Sequence, residues 1–351
     1  MSVLSSLIKA AGEGAVAAID GVPSGDIQGY TDTGSYALNA LISGSIHGGN
    51  PRGKVTAIAG DEATGKTFFA LSTAKEFQDQ YPTGLVFIFE SEGSLTKDML
   101  AKRNFDLNRI VIVPVVTIQD YRTRALNVLK SFTEMKEEDR PPLMFILDSL
   151  GNLSTTKELE DSEAGKETRD MTRAGLVRGV FRTITLKLSA LGVPHILTNH
   201  TYQVVGAYIP TKEMSSGGGL KYAASTILYL SKSKDRDADK KVVGSIIKVT
   251  AVKSRLTREQ LYVHVKLNHV TGLDRYYGLL PIAIDAGVFK QLSKQIELPD
   301  GTKVFESRIE KNPEKYFTKD VLDKIEVWVN ENFRYGAGEE VAEEDDNDTE
   351  E

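Results

Sequence analysis

Residues 60–67 read Gly60-Asp61-Glu62-Ala63-Thr64-Gly65-Lys66-Thr67, and no other stretch limits the possible folds as sharply. The run satisfies G-x-x-x-x-G-K-[ST] at each fixed position, the pattern of a loop that wraps phosphate groups. It follows the apolar run VTAIAG (55–60) and leads into TFFALSTAKEFQDQ, which has the length and composition of a helix. Strand, glycine-bounded loop and helix in that order aim backbone N–H groups and a helix N-terminus at one point, and both attract anions. Gly60 and Gly65 let the backbone curl, Lys66 reaches the β- and γ-phosphates of a nucleotide, and the Thr67 hydroxyl suits a magnesium ion. A glycine-rich turn that binds nothing would need neither the strand before it nor the helix behind it.

Short apolar runs bounded by turn residues recur along the chain: LVFIFE (85–90), RIVIVPV (109–115), LMFILD (143–148), HILTNH (195–200), STILYL (225–230), IIKVTAV (246–252) and LYVHVKL (261–267). Nearly continuous apolar runs indicate strands buried on both faces, as in a parallel sheet covered by helices. The last three stand too close together for crossover helices, so they are expected to extend the sheet antiparallel. The segment from Thr168 is expected as a helix with Met171, Leu176, Val180, Ile184 and Leu188 on its buried face. After Gly278, LLPIAIDAGVF reads as helical, ELPDGTKV contains a hairpin turn at Asp300-Gly301, and TKDVLDKIEVWVNENF closes with a helix. The fold expected is α/β, with a twisted, mostly parallel central sheet. Four regions divide the chain: an N-terminal helix and linker (1–30), the core (31–285), a small C-terminal region (286–335) and a tail (336–351).

Two strand ends carry carboxylates. LMFILD ends in Asp148, followed by Ser149, and an acid at the tip of a buried strand is placed to organise magnesium beside the phosphate loop. LVFIFE runs into Glu90-Ser91-Glu92, where one acid could orient or activate an attacking water and either could instead cap the next helix.

Composition excludes several classes. Without cysteine there is neither a disulfide framework nor a thiolate metal site. Charges interrupt every apolar segment before it reaches the roughly 18 residues of a membrane span. The N-terminus, MSVLSSLIKAAGEGAVAAIDG, reads as an amphipathic helix rather than a signal peptide, and a cytoplasmic location is expected. The net charge of −6 hides an asymmetry: the last sixteen residues, GAGEEVAEEDDNDTEE, hold nine acids, and removing them leaves +3 for residues 1–335. Such a tail serves either as a solubility extension or as a DNA mimic competing for a basic groove.

The segments GDEATGKT, ESE, LDSLGNL (147–153), DMTRAGLVRGVFR (170–182), TNHTY (198–202) and SGGGLKYAAS (216–225) occur in an order that resembles the ATPase core of RecA recombinases. The wording is most similar to the phage UvsX recombinases, and the likeness runs from about residue 30 to 285. It implies ATP and Mg²⁺ as cofactors, with Lys66 in the phosphate loop and Thr67 and Asp148 on the metal. It implies that Glu92 is the catalytic glutamate and that His200 senses the γ-phosphate. Lys253 and Arg255, in AVKSR, match a basic pair offered in trans to ATP on the neighbouring subunit. Cations supplied in trans act like arginine fingers, worth ~10³ to 10⁵ in rate in other phosphate-transferring systems. Where many family members place a tyrosine against adenine this chain has Met99, whose thioether can also cover a base.

Two long polar segments, 154–169 and 201–219, follow strands on the nucleotide side. Lys166, Arg169, Arg173, Arg178 and Lys212 are candidates to neutralise phosphates. N–H groups near Ser216, Gly217 and Gly218 could hold one more, and Tyr202 and Tyr208 are candidates for packing or stacking. The resemblance implies that these are DNA-contacting loops and that the N-terminal helix packs on the next protomer of a helical filament. The expected partners are single-stranded DNA, homologous duplex DNA, further copies of the chain, and single-strand-binding and mediator proteins, in a host cytoplasm if the chain is phage-encoded. A hexameric helicase of the same fold, or an adaptor that binds ATP without hydrolysing it, are the alternatives.

Overall fold

The computed structural model describes residues 3–12, 15–22, 25–166, 170–203, 212–215, 218–236, 242–268 and 272–336. The apolar runs become strands of one ten-stranded sheet. In chain order these are β1 (Val55–Gly60), β2 (Leu85–Glu90), β3 (Ile110–Pro114), β4 (Leu143–Asp148) and β5 (His195–Gln203). They continue with β6 (Lys212–Met214), β7 (Thr226–Arg236), β8 (Val242–Ser254), β9 (Tyr262–Asn268) and β10 (Gly272–Leu273). Across the sheet the order is β10-β9-β8-β7-β1-β5-β4-β2-β3, with β6 paired to β5. The expected antiparallel extension is present in β8 to β10, but β7 pairs parallel with β1 and antiparallel with β8, so it is the seam between the two modes.

Period-2 alternation divides the core between two helical layers. Val55, Ala57 and Ala59 of β1 face α5 (Ile118–Glu134) and α7 (Arg173–Ala190), while Ile58 faces α2 (Tyr36–Ser43) and α3 (Lys66–Gln80). The C-terminal region adds to the second layer. Leu279 and Ala283 of α9 (Leu279–Asp285) and Ile325 and Val329 of the closing helix Lys319–Phe333 bury in the same cluster as α2 and α3. Glu326 accepts the Ile46 N–H at 2.7 Å, tying that closing helix to the loop after α2. The Asp300-Gly301 turn joins two short antiparallel strands, as its residues promise.

Three local expectations are corrected. The helix expected from Thr168 begins at Arg173, because Asp170 accepts both the N–H and the hydroxyl of Thr172 and stops the turn there. Met171 is therefore 88% exposed, while Val180, Ile184 and Leu188 are buried as expected. Within 154–169 the chain forms α6 (Thr156–Glu163), started by a capping box between Thr155 and Glu158. Within 201–219, β5 extends to Gln203 and pairs with β6, so both ends of that segment form a hairpin. Apart from these, α1 (Val3–Ala11) has no buried residue, and Val3, Leu4 and Leu7 are exposed. No described helix is long and apolar enough to cross a membrane.

Candidate active site

The loop after β1 borders a cleft of about 540 Å³ lined by residues 62–68 together with Glu92, Ser94, Asn152, His200, Lys232 and Leu267. Gly65 adopts φ +94°, a backbone conformation that favours glycine, and a Cβ there would also press on Leu267 Cδ2 at 2.8 Å. The loop is braced internally: the Thr64 hydroxyl donates to the Asp61 carbonyl at 2.9 Å, and the Lys66 ammonium donates to the carbonyls of Asp61 (2.9 Å) and Gly60 (3.2 Å). Burial pushes the Lys66 pKa down, against the pull of Glu92, Asp148, Asp61 and Glu62.

Opposite the loop, the ends of β2 and β4 place the predicted acids side by side, since Glu90 is in register with Asp148. Asp148 is buried and accepts hydrogen bonds from the hydroxyls of Thr67 (2.8 Å) and Thr198. Burial raises its pKa above the ordinary carboxylate value, and those hydroxyls pull the other way. A desolvated carboxylate beside a threonine hydroxyl is an oxygen donor pair that fits a hard divalent ion completed by phosphate oxygens. The Asp148–Ser149 peptide is cis.

The structure divides the work of the two glutamates. Glu90 Oε1 accepts the N–H groups of Glu92 (3.1 Å) and Ser94 (3.0 Å), so Glu90 shapes the turn. Glu92 projects into the cleft, with Oε1 2.7 Å from the Ser149 hydroxyl and 3.2 Å from His200 Nε2. Gly151 makes room for that imidazole: a Cβ there would meet His200 Cδ2 at 2.9 Å.

One residue beyond His200 the chain enters the β5–β6 hairpin, and Asp61 fastens that hairpin to the phosphate loop. Its carboxylate accepts from the Thr201 hydroxyl at 2.8 Å and from Lys212 at 2.5 Å. The Lys212 hydrogen bond, followed by that of Thr201, holds the Asp61 carboxyl below the usual range.

Lys253 and Arg255 lie elsewhere. Lys253 donates to the carbonyls of Lys221 and Ala224 (2.8 Å), and Arg255 to that of Tyr222 (2.8 Å), at the end of α8 (Gly218–Ala223). Burial and the neighbouring Arg255 lower the Lys253 pKa. Lys253 is in register with Ile227, and Ile227 with Ala57, three residues before Gly60. At ~3.3 Å per residue the pair sits about 10 Å down the sheet from the loop of its own chain.

The proposed DNA set is only partly assembled. Lys166, Arg178 and Tyr202 are exposed. Arg173 is not: it pairs with Glu158 at 3.3 Å and donates to the carbonyls of Leu153 and Gly151, clamping α6 onto the turn after β4. Lys212 is likewise engaged by Asp61. Gly218 opens α8, whereas Arg169, Tyr208, Ser216 and Gly217 lie outside the described residues. Met99 is not among the residues that line the cleft; it is partly buried and packs on the core cluster. The nearby wall is Phe68, over whose ring the Arg103 guanidinium lies at 4.5 Å. Phe68, Asn152 and Lys232 were not foreseen as lining residues. Lys232 reaches the Ala63 carbonyl at 2.8 Å from 169 positions away, a proximity created by sheet pairing that no local pattern announces.

A parallel sheet, a phosphate loop between its central strand and a helix, and an acid at a neighbouring strand tip define an α/β P-loop nucleotide-binding core. Within that class the chain belongs to the RecA family, the RecA N-terminal domain profile matching residues 1–274. It is 31% identical over 250 residues to the recombination and repair protein of Enterobacteria phage T4, a match covering 71% of this chain and 62% of that protein. It is 26% identical over 293 residues to Protein RecA of Tropheryma whipplei (82% of this chain, 62% of the relative). Protein RecA of Deinococcus radiodurans is 26% identical over 296 residues (83% and 76%). The chain thus spans less than two thirds of the length of the first two relatives.

Proposed function

We propose that this protein is a DNA-dependent ATPase that polymerises on single-stranded DNA with ATP and Mg²⁺ and catalyses homologous pairing and strand exchange with duplex DNA. The observation that carries this reading is the continuity from Glu92 through His200 into the β5–β6 hairpin. The carboxylate in the cleft touches the imidazole, and the imidazole shares strand β5 with the hairpin that would meet DNA. In this reading Gly60 to Thr67 cradle the phosphates, Thr67 and Asp148 hold magnesium, Glu92 orients the attacking water and His200 reports the γ-phosphate. Lys166, Arg178 and Tyr202, all exposed, would contact DNA.

Lys253 and Arg255 serve ATP on the adjacent subunit, and their distance from their own phosphate loop supports that assignment. Self-assembly is supported by the exposed apolar face of α1 and by two apolar features near the sheet edge. The edge strand β3 exposes Val111 and Ile112, and a cavity of about 300 Å³ beside α5 is lined by Leu85, Phe87, Phe132 and Met135. Single-strand-binding and mediator proteins would load and clear such a filament.

The test is steady-state ATP turnover with and without single-stranded DNA for the intact protein, Glu92→Gln and Lys253→Ala. Expected are strong stimulation by DNA and losses of roughly a hundredfold or more in both variants with ATP-analogue binding retained. A strand-exchange assay then separates a recombinase from a helicase. Turnover indifferent to DNA, or surviving Glu92→Gln, would overturn the assignment.

A further inference from the structure

Ser149 is fully buried, and its hydroxyl donates to Glu92 Oε1 at 2.7 Å. Its backbone is held independently of that contact. The Ser149 N–H donates to Ser91 Oγ at 2.8 Å, that hydroxyl donates back to the Ser149 carbonyl at 2.8 Å, and the Ser91 N–H donates to the Asp148 carbonyl at 2.8 Å. The turn carrying the glutamate and the turn carrying the serine are therefore laced together before either side chain acts. A glutamate side chain at a partly open cleft has several rotamers available, and an in-line water needs its acceptor held within about 0.5 Å. The Ser149 hydroxyl, closed off from solvent, offers a donor in a fixed place. His200 Nε2 approaches the same oxygen at 3.2 Å, so both contacts fall on Oε1. Among the described residues, Oε2 accepts no hydrogen bond.

We propose that Ser149 is a positioning residue for Glu92. It pins Oε1 so that Oε2 is turned toward the cleft and accepts from the attacking water. This rests on the reading of Glu92 given above and adds to it a residue that would touch neither nucleotide nor metal. Because its backbone is held by Ser91, Ser149 keeps its place when its hydroxyl is removed.

The experiment uses the full chain with ATP, Mg²⁺ and single-stranded DNA. It compares the intact protein with Ser149→Ala, Ser149→Thr, Glu92→Gln and the Ser149→Ala/Glu92→Gln double variant, alongside binding of a fluorescent ATP analogue. Ser149→Ala is expected to lower kcat roughly tenfold while KM and analogue Kd stay within about twofold, and Ser149→Thr to restore most of the loss. The double variant is expected to be no slower than Glu92→Gln alone, since the hydroxyl acts only through that carboxylate. If Ser149→Ala turns over normally while Glu92→Gln is inactive, the positioning role is wrong and the Glu92 reading stands. A loss that adds undiminished to Glu92→Gln, or comes with an equal rise in Kd, also overturns it by marking a general structural effect. Normal turnover by Glu92→Gln overturns both.

Discussion

Asp61 sits inside the phosphate loop, where a negative charge would repel the phosphates the loop is shaped to hold. Its partners neutralise it: Thr201 and Lys212 come from the hairpin, and the pairing that masks the charge also anchors the hairpin. Such assignments are illegible in a sequence. Lys212 and Arg173 read as cations available to DNA because their partners, Asp61 and Glu158, are identified only once the chain has folded. His195 shows the same limit in the core. At the start of β5 it lies between the rings of Tyr121 and Phe181, with the Tyr121 hydroxyl 3.2 Å from Nε2, and burial depresses its pKa from 6.5 to about 3. Between those two values the unfolded chain takes up a proton that the folded chain refuses. Its contribution is therefore full above pH 6.5 and declines as pH falls, by about 2 kcal/mol at pH 5. Urea midpoints from pH 7 to pH 5 should fall less steeply for His195→Phe than for the intact protein, even though the variant starts lower with Tyr121 unpaired. Equal slopes would show that His195 is not the group responsible.

Among the elements, strands were the most legible, since a buried parallel strand declares itself by apolar residues on both faces; VTAIAG, LVFIFE and LMFILD match β1, β2 and β4 to the residue. Segments such as α6 and the β5–β6 hairpin were not, because polar sequence is compatible with both loop and exposed helix until a cap or a pairing decides. The packing of α8 on α7 is another feature that only the fold reveals. A Cβ at Gly219 would fall 2.9 Å from Arg178 N and 3.0 Å from its Cα, backbone atoms that cannot swing aside. Gly219→Ala should push the two helices apart at a cost of about 1–3 kcal/mol, measurable as a lower urea midpoint. Since Lys253 and Arg255 are seated on α8 carbonyls, the same variant should lose DNA-stimulated turnover while ATP-analogue affinity holds. Unchanged turnover would separate α8 from the basic pair.

Over the whole molecule, the sheet separates two sets of chemical groups. Glu92 and the phosphate loop gather at one end, while Lys253 and Arg255 sit several rows away toward the other, each chain thus presenting two unlike faces. Faces that differ join head to tail, and such contacts propagate rather than close into pairs. Two individually inactive proteins should therefore rescue each other. In a one-to-one mixture of Glu92→Gln and Lys253→Ala, about a quarter of randomly formed junctions combine an intact glutamate with an intact lysine. Turnover should reappear on mixing and be absent from either protein alone; continued silence would mean that both groups serve one nucleotide within a single chain. On the proposed use of Lys253 and Arg255 in trans, the isolated protein would be an unfinished enzyme, with dilution as its off-switch: activity would appear only where copies are crowded onto a common strand, and each new arrival would complete the copy before it.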